Sequence, residues 1–221
     1  MKKYAKIAAV CAATLLAFLF FGCSDDSDGD GGDTSTSGPL AAPSGADPFT
    51  TGTYKASAEG SYSSIDIAFS EDGVGYNGDV WEIDKTNRTI TLYGSSGKLD
   101  GMTSEVTYTY NETEKTVTIK LSKVAVPQDV TEYIKACEND KSYEYKDWKL
   151  GSQNEATEYV NAVAKSNWSD ADKYDGQADK YKADFAATVT YKYEKSGNDI
   201  TLTLSKAVDG STEKITLSPQ Q

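Results

Sequence analysis

Thirty-four carboxylates, three cysteines and no histidine make up the reactive inventory of this 221-residue chain. The missing imidazole removes the commonest general base and metal ligand, and with it every Ser-His or Cys-His nucleophilic pair. Two carboxylates can hydrolyse a glycosidic bond when their surroundings push their pKa values apart. Here the acids fall mostly at turns or on the polar face of alternating segments, so none is singled out. No catalytic residue, metal site or cofactor is expected, and the chain is read as non-enzymatic. Cys11 and Cys23 belong to an N-terminal apolar run, whereas Cys137 stands alone. A lone thiol with no activating base nearby is expected to pack as a small apolar residue.

Lys2, Lys3 and Lys6 precede sixteen uncharged residues, Ile7 to Gly22, the pattern of an export signal. At about 1.5 Å per residue this run reaches about 24 Å, short of the roughly 30 Å hydrocarbon core that a spanning helix must cross. It ends in Phe20-Phe21-Gly22-Cys23, which resembles the lipobox of bacterial lipoproteins, where a small residue precedes the cysteine that receives the lipid. The resemblance implies cleavage after Gly22 and lipid attachment at Cys23. It also implies a membrane partner and an extracytoplasmic position at the outer membrane or cell surface, since Ser24 is not the Asp that in some bacteria marks inner-membrane retention. An ordinary cleaved signal with an incidental cysteine is the other reading. One acyl chain binds a bilayer with only about 10⁴ M⁻¹, and two or more make attachment lasting.

Residues 23–48 are almost entirely Asp, Gly, Ser, Thr, Pro and Ala, too poor in apolar surface to offset their ordering entropy, so a flexible spacer is expected. Within it, Asp26-Ser27-Asp28-Gly29-Asp30-Gly31 matches the first half of an EF-hand Ca²⁺ loop, but Ser37 stands where the bidentate Glu belongs. The solvated spacer is the preferred reading. The formal charge of −12 becomes −15 once residues 1–22, with three Lys and no acid, are removed. Such a balance repels phosphate backbones, and no nucleic-acid partner is expected.

The remaining segment, 49–221, is long enough for one core of ordinary size. Ile65, Ile67 and Phe69 alternate with polar residues before the turn Glu71-Asp72-Gly73. Trp81 and Ile83, the turn Asp84 to Asn87, then Ile90 and Leu92 read as a hairpin. A second hairpin recurs: Val106 to Lys123 aligns without gaps to Val189 to Lys206, eight of eighteen residues being identical. In each copy Val, Tyr and Tyr share one strand face (Val106, Tyr108, Tyr110; Val189, Tyr191, Tyr193), opposite a Thr/Lys face. Between the copies, about 127 to 185, Pro127 at a first helical position leads Val130, Ile134 and Cys137 at helical spacing, and Ser152-Gln-Asn-Glu155 is a capping box before Ala156, Tyr159, Val160 and Val163. The echo Ala171-Asp-Lys-Tyr174 and Ala178-Asp-Lys-Tyr181 places both Tyr on one face if it is helical.

The opening Gly52-Thr53-Tyr54, a strand ending at Gly73 and consecutive hairpins resemble bacterial lipocalin-like domains. That resemblance implies a mainly β fold, an up-and-down antiparallel barrel of about eight strands with a short helical insertion. An open antiparallel sheet with helices on one face is the alternative. In a barrel, Trp81, Tyr108, Tyr110, Tyr191 and Tyr193 are candidates to line a site for a small apolar or glycan ligand. Alternatively they fill the barrel as ordinary strand residues, and the domain is a surface interaction or adhesion module for another protein or a host component.

Overall fold

The computed structural model describes residues 39–59, 80–93, 103–143, 147–205 and 214–220. The export-signal run, Cys23, the Asp26–Gly31 half-loop and the Ile65–Phe69 strand lie outside the described residues.

Among the described residues, alternation of apolar and polar residues produces nine strands: β1 (Gly52–Glu59), β2 (Val80–Asp84), β3 (Thr89–Tyr93), β4 (Ser104–Asn111), β5 (Thr116–Pro127), β6 (Trp148–Gly151), β7 (Thr188–Ser196), β8 (Asp199–Leu204) and β9 (Lys214–Pro219). Eight of them close into an antiparallel barrel in the order β1-β2-β3-β4-β5-β7-β8-β9, with β9 returning to β1. The open-sheet alternative is therefore excluded. The short β6 extends the sheet beside the far end of β5, pairing Val124–Pro127 with Trp148–Gly151. A bulge at Ser122 shifts the register between β4 and β5, beyond which β5 pairs with β4 on one edge and with β6 on the other.

The apolar faces point inward, and Trp81, Ile83, Ile90, Leu92, Val106 and Tyr108 are among the residues that meet inside. Outside lies a Thr/Lys surface on which Thr109, Thr118 and Thr190 form one cross-strand row, Thr118 Oγ1 and Thr190 Oγ1 being 2.9 Å apart.

Between β5 and β7 the chain builds a helical cap of α1 (Val130–Glu138), α2 (Gln153–Ala164) and α3 (Gln177–Ala186). Ser152 caps α2 and Glu155 completes the capping box; hydrogen bonds from Lys149 and Ser152 hold the Glu155 carboxyl down at about 2. Pro127 departs from its expected place. It closes β5, and Asp129 is the residue that caps α1, its carboxylate accepting from Glu132 N. The Ala171/Ala178 echo is broken at Gly176, whose φ of +78° suits a residue without Cβ, into a 3₁₀ turn (Ala171–Tyr174) and α3. Tyr174 turns inward, where its hydroxyl meets those of Tyr133 (3.1 Å) and Tyr159 (3.3 Å). Burial pushes the Tyr133 and Tyr159 phenols well above their usual range. Among the described residues no helix is long and apolar enough to cross a membrane.

Topology gives the barrel two unlike ends. At one end the connections are tight, residues 85–88, 112–115 and 197–198, and both β1 begins and β9 ends there. At the other end β1, β3, β5 and β8 finish, β2, β4, β7 and β9 begin, and the helical cap joins β5 to β7.

Candidate functional site

The tight-turn end owes its shape to a mismatch in strand length. Strand β3 pairs with β4 only as far as Thr107, after which Tyr108 N donates to Arg88 O in the β2–β3 turn. From there to Asn111 the same edge of β4 has no partner in β3. An exposed edge is a template for a further strand, and a segment preceding β1 fills it. Ser44 bridges Asn111 in parallel, Ser44 N donating to Tyr110 O and Glu112 N to Ser44 O, both at 2.9 Å. Residues 44–48, which composition assigns to the spacer, are thus held to the barrel by backbone pairing, an interaction that needs no apolar side chain.

Four further contacts fix this strap. Gly45 has a φ of +83°, and a Cβ there would lie 2.5 Å from Glu112 Cβ, so both conformation and space demand glycine. Ala46 N donates to Glu112 Oε2 at 2.7 Å. The Asp47 carboxylate accepts Phe49 N on Oδ1 (2.9 Å) and the Tyr108 hydroxyl on Oδ2 (3.0 Å). Phe49 is buried edge-on against the Tyr108 ring, 5.1 Å between centroids at 87°. Burial, reinforced by the Asp47 charge, drives the Tyr108 phenol far above its usual range, so it serves as a permanent donor. Beside the strap lies a cleft of about 470 Å³, between Ala46–Pro48, the β4–β5 turn at Glu112 and Lys115, and Tyr193–Lys195 of β7. The Lys115 ammonium sits 5.6 Å from the centroid of the Tyr193 ring.

All five aromatic candidates project to the barrel's inner side, but they do not form one wall. Trp81 and Tyr191 are 0% exposed, Tyr108 1% and Tyr193 5%, while Tyr110 is half-buried. A void wide enough for water leaves accessible surface on its lining, so the first three rings are packed on every side. Tyr108 and Tyr110 come together at the strap, 6.5 Å apart, and Tyr193 reaches the cleft. Trp81 lies deeper, in register with Tyr54 and Leu92. Sequence reasoning missed Asp47 and the strap-anchoring role of Phe49. The available signal was Phe49 itself, the first aromatic residue after a long polar stretch.

A second aromatic cluster fills the cap. Tyr133 contacts Tyr143, Trp148 and Tyr159 edge-on at 5.2 to 5.6 Å, and Trp168 lies 5.8 Å from Tyr174. Tyr143, Trp148 and Trp168 remain half-buried and carry this cluster to the surface. Cys137 packs half-buried beside it on α1.

The fold and these surfaces define a closed, up-and-down, eight-stranded antiparallel β-barrel with a helical cap at one end and a docked strap at the other. Comparison of the chain with known protein families, with curated proteins and with solved structures finds no match.

Proposed function

We propose that the chain is a lipid-anchored, extracytoplasmic and non-enzymatic interaction module of the outer membrane or cell surface. In this reading Cys23 carries the lipid, the Asp/Gly-rich spacer gives reach, and the barrel meets a partner protein or host component with its outside. The observation that carries it is the packing of Trp81, Tyr108 and Tyr191, which leaves no accessible surface for a guest beside these rings. Among the described residues, the half-exposed tryptophans, Trp148 and Trp168, lie together with Tyr143 in the cap, and half-exposed Tyr93 and Tyr110 lie on the barrel strands. A second reading, a small apolar or glycan ligand, draws support from the cleft beside Tyr193, where an aromatic ring is flanked by carboxylates and ammonium groups.

Two measurements test the proposal. Fatty-acid labelling in growing cells should mark the parent and the Cys137→Ala variant but not Cys23→Ala; label persisting in Cys23→Ala overturns the anchor. Titration with an apolar fluorescent probe should show no saturable binding. Stoichiometric binding that Tyr193→Ala abolishes would transfer support to the ligand reading.

A further inference from the structure

We infer that the tight-turn end of the barrel is a docking groove for an extended peptide segment, and that residues 44–49 occupy it as the chain's own stand-in for that peptide. The inference deepens the partner-protein reading above and rests on it. Peptides bind exposed sheet edges by backbone pairing, with side-chain sockets supplying selectivity. Both parts are present: the unpaired edge of β4 takes Ser44, and a socket on Tyr108 takes the Phe49 ring. The Tyr108 hydroxyl adds a donor for a carboxylate placed two residues before the ring, and Glu112 leaves room only for glycine two residues before that carboxylate. The groove therefore selects a Gly-x-Asp-x-aromatic segment, here Gly45-Ala46-Asp47-Pro48-Phe49.

None of these contacts depends on the covalent continuity of strap and barrel. Pro48 and Phe49 are buried, Phe49 as part of the core, whereas residues 44–47 are held by a handful of hydrogen bonds, so release of the strap turns on withdrawing that one ring. The strap's advantage over a free peptide is the effective concentration that linkage confers, of order mM for a short connection. A partner displaces it by presenting a similar segment at high local concentration, as two surface proteins do when they meet.

The test uses the full chain and a fluorescent peptide spanning residues 39–50, with anisotropy as the readout. Gly45→Val unlatches the strap without altering the barrel, and Asp47→Ala does so by removing the acceptor for Phe49 N and for the Tyr108 hydroxyl. The parent should bind the peptide at least about tenfold more weakly than either variant, because its own strap competes. A peptide carrying Asp47→Ala should lose binding to both. Chymotrypsin reports strap release separately: cleavage after Phe49, buried in the parent, should accelerate in the variants. Variants that keep the parent's circular dichroism and release Phe49 to chymotrypsin yet bind no peptide overturn the inference. So do variants in which Phe49 stays protected, since the strap is then not exchangeable. Either result leaves the partner-protein reading standing; that reading falls only if the apolar probe binds the parent.

Discussion

The two copies of the repeated hairpin, β4–β5 and β7–β8, start from nearly the same residues and end differently. Ungapped alignment places Tyr110 opposite Val117 and predicts Tyr193 opposite Ile200. The first pairing is observed, but Tyr193 pairs with Leu202, a shift of two residues. Because the shift is even, both tyrosines still face inward. The cause lies in the turns. Glu112–Lys115 form a four-residue connection that ends with Lys115 at a φ of +55°, whereas Gly197 at +61° permits a two-residue turn. The tighter turn lengthens β7–β8 pairing toward the tip, to Ser196 opposite Asp199. Patterning thus set the faces and turn chemistry set the register, while the docking edge of the first copy comes from β3, which stops pairing with β4 at Thr107.

The largest effect should come from deleting the shared ring. Tyr108→Ala and Tyr191→Ala are each expected to cost about 3 to 5 kcal/mol in denaturant melts, the range for a large buried aromatic. A cost near 1 kcal/mol for one of them would mean that its copy borders open space and that the two hairpins are not equivalently packed.

A smaller effect separates the copies by what precedes them. β7 is entered directly from α3, where Asp184 is 1% exposed with Lys180 Nζ 3.7 Å away. Burial raises its carboxyl from 3.8 to about 6, only partly countered by Lys180. The folded state therefore holds the proton more tightly than the unfolded one. This contribution to stability is greatest below pH 4, declines between about pH 4 and 6, and is lost above. Asp184→Asn should raise stability at pH 7 by up to about 3 kcal/mol and change it little at pH 4. Melts at the two pH values check the sign; equal effects at both would show that Asp184 titrates normally.

The smallest effects concern the turns. Gly197→Ala meets no neighbouring atom, so its cost is the left-handed backbone alone, about 1 to 2 kcal/mol. Lys115→Gly relieves similar strain but forfeits the ammonium over Tyr193, worth about 0.5 to 1 kcal/mol at an exposed site, so it should leave stability unchanged or raise it by up to about 1.5 kcal/mol. Thermal melts that show the two turns equally sensitive would break the explanation for the register shift.

Much of this was legible locally. Trp81, Ile83, Ile90 and Leu92 gave the β2–β3 hairpin, and Ser152 with Glu155 marked the start of α2, because each signal acts within a few residues. Pro127 misled because a fixed φ suits a strand end as well as a first helical turn, and the bulge at Ser122 that carries β5 onward to it has no clear sequence signature. The strap stayed hidden because backbone pairing is nearly independent of side-chain type, so Ser44, Gly45 and Ala46 read as spacer.

The period of two along each strand determined by itself which side chains turn inward, and the absence of histidine determined which chemistries are closed to the chain. Only the tertiary structure decided that β9 returns to β1, that Trp81, Tyr108 and Tyr191 are packed on every side, and that the free edge of β4 takes Ser44. Inward direction is a property of neighbouring residues. Closure, filling and edge pairing depend on strand lengths and side-chain volumes summed across segments far apart in the chain, and no local pattern encodes those sums.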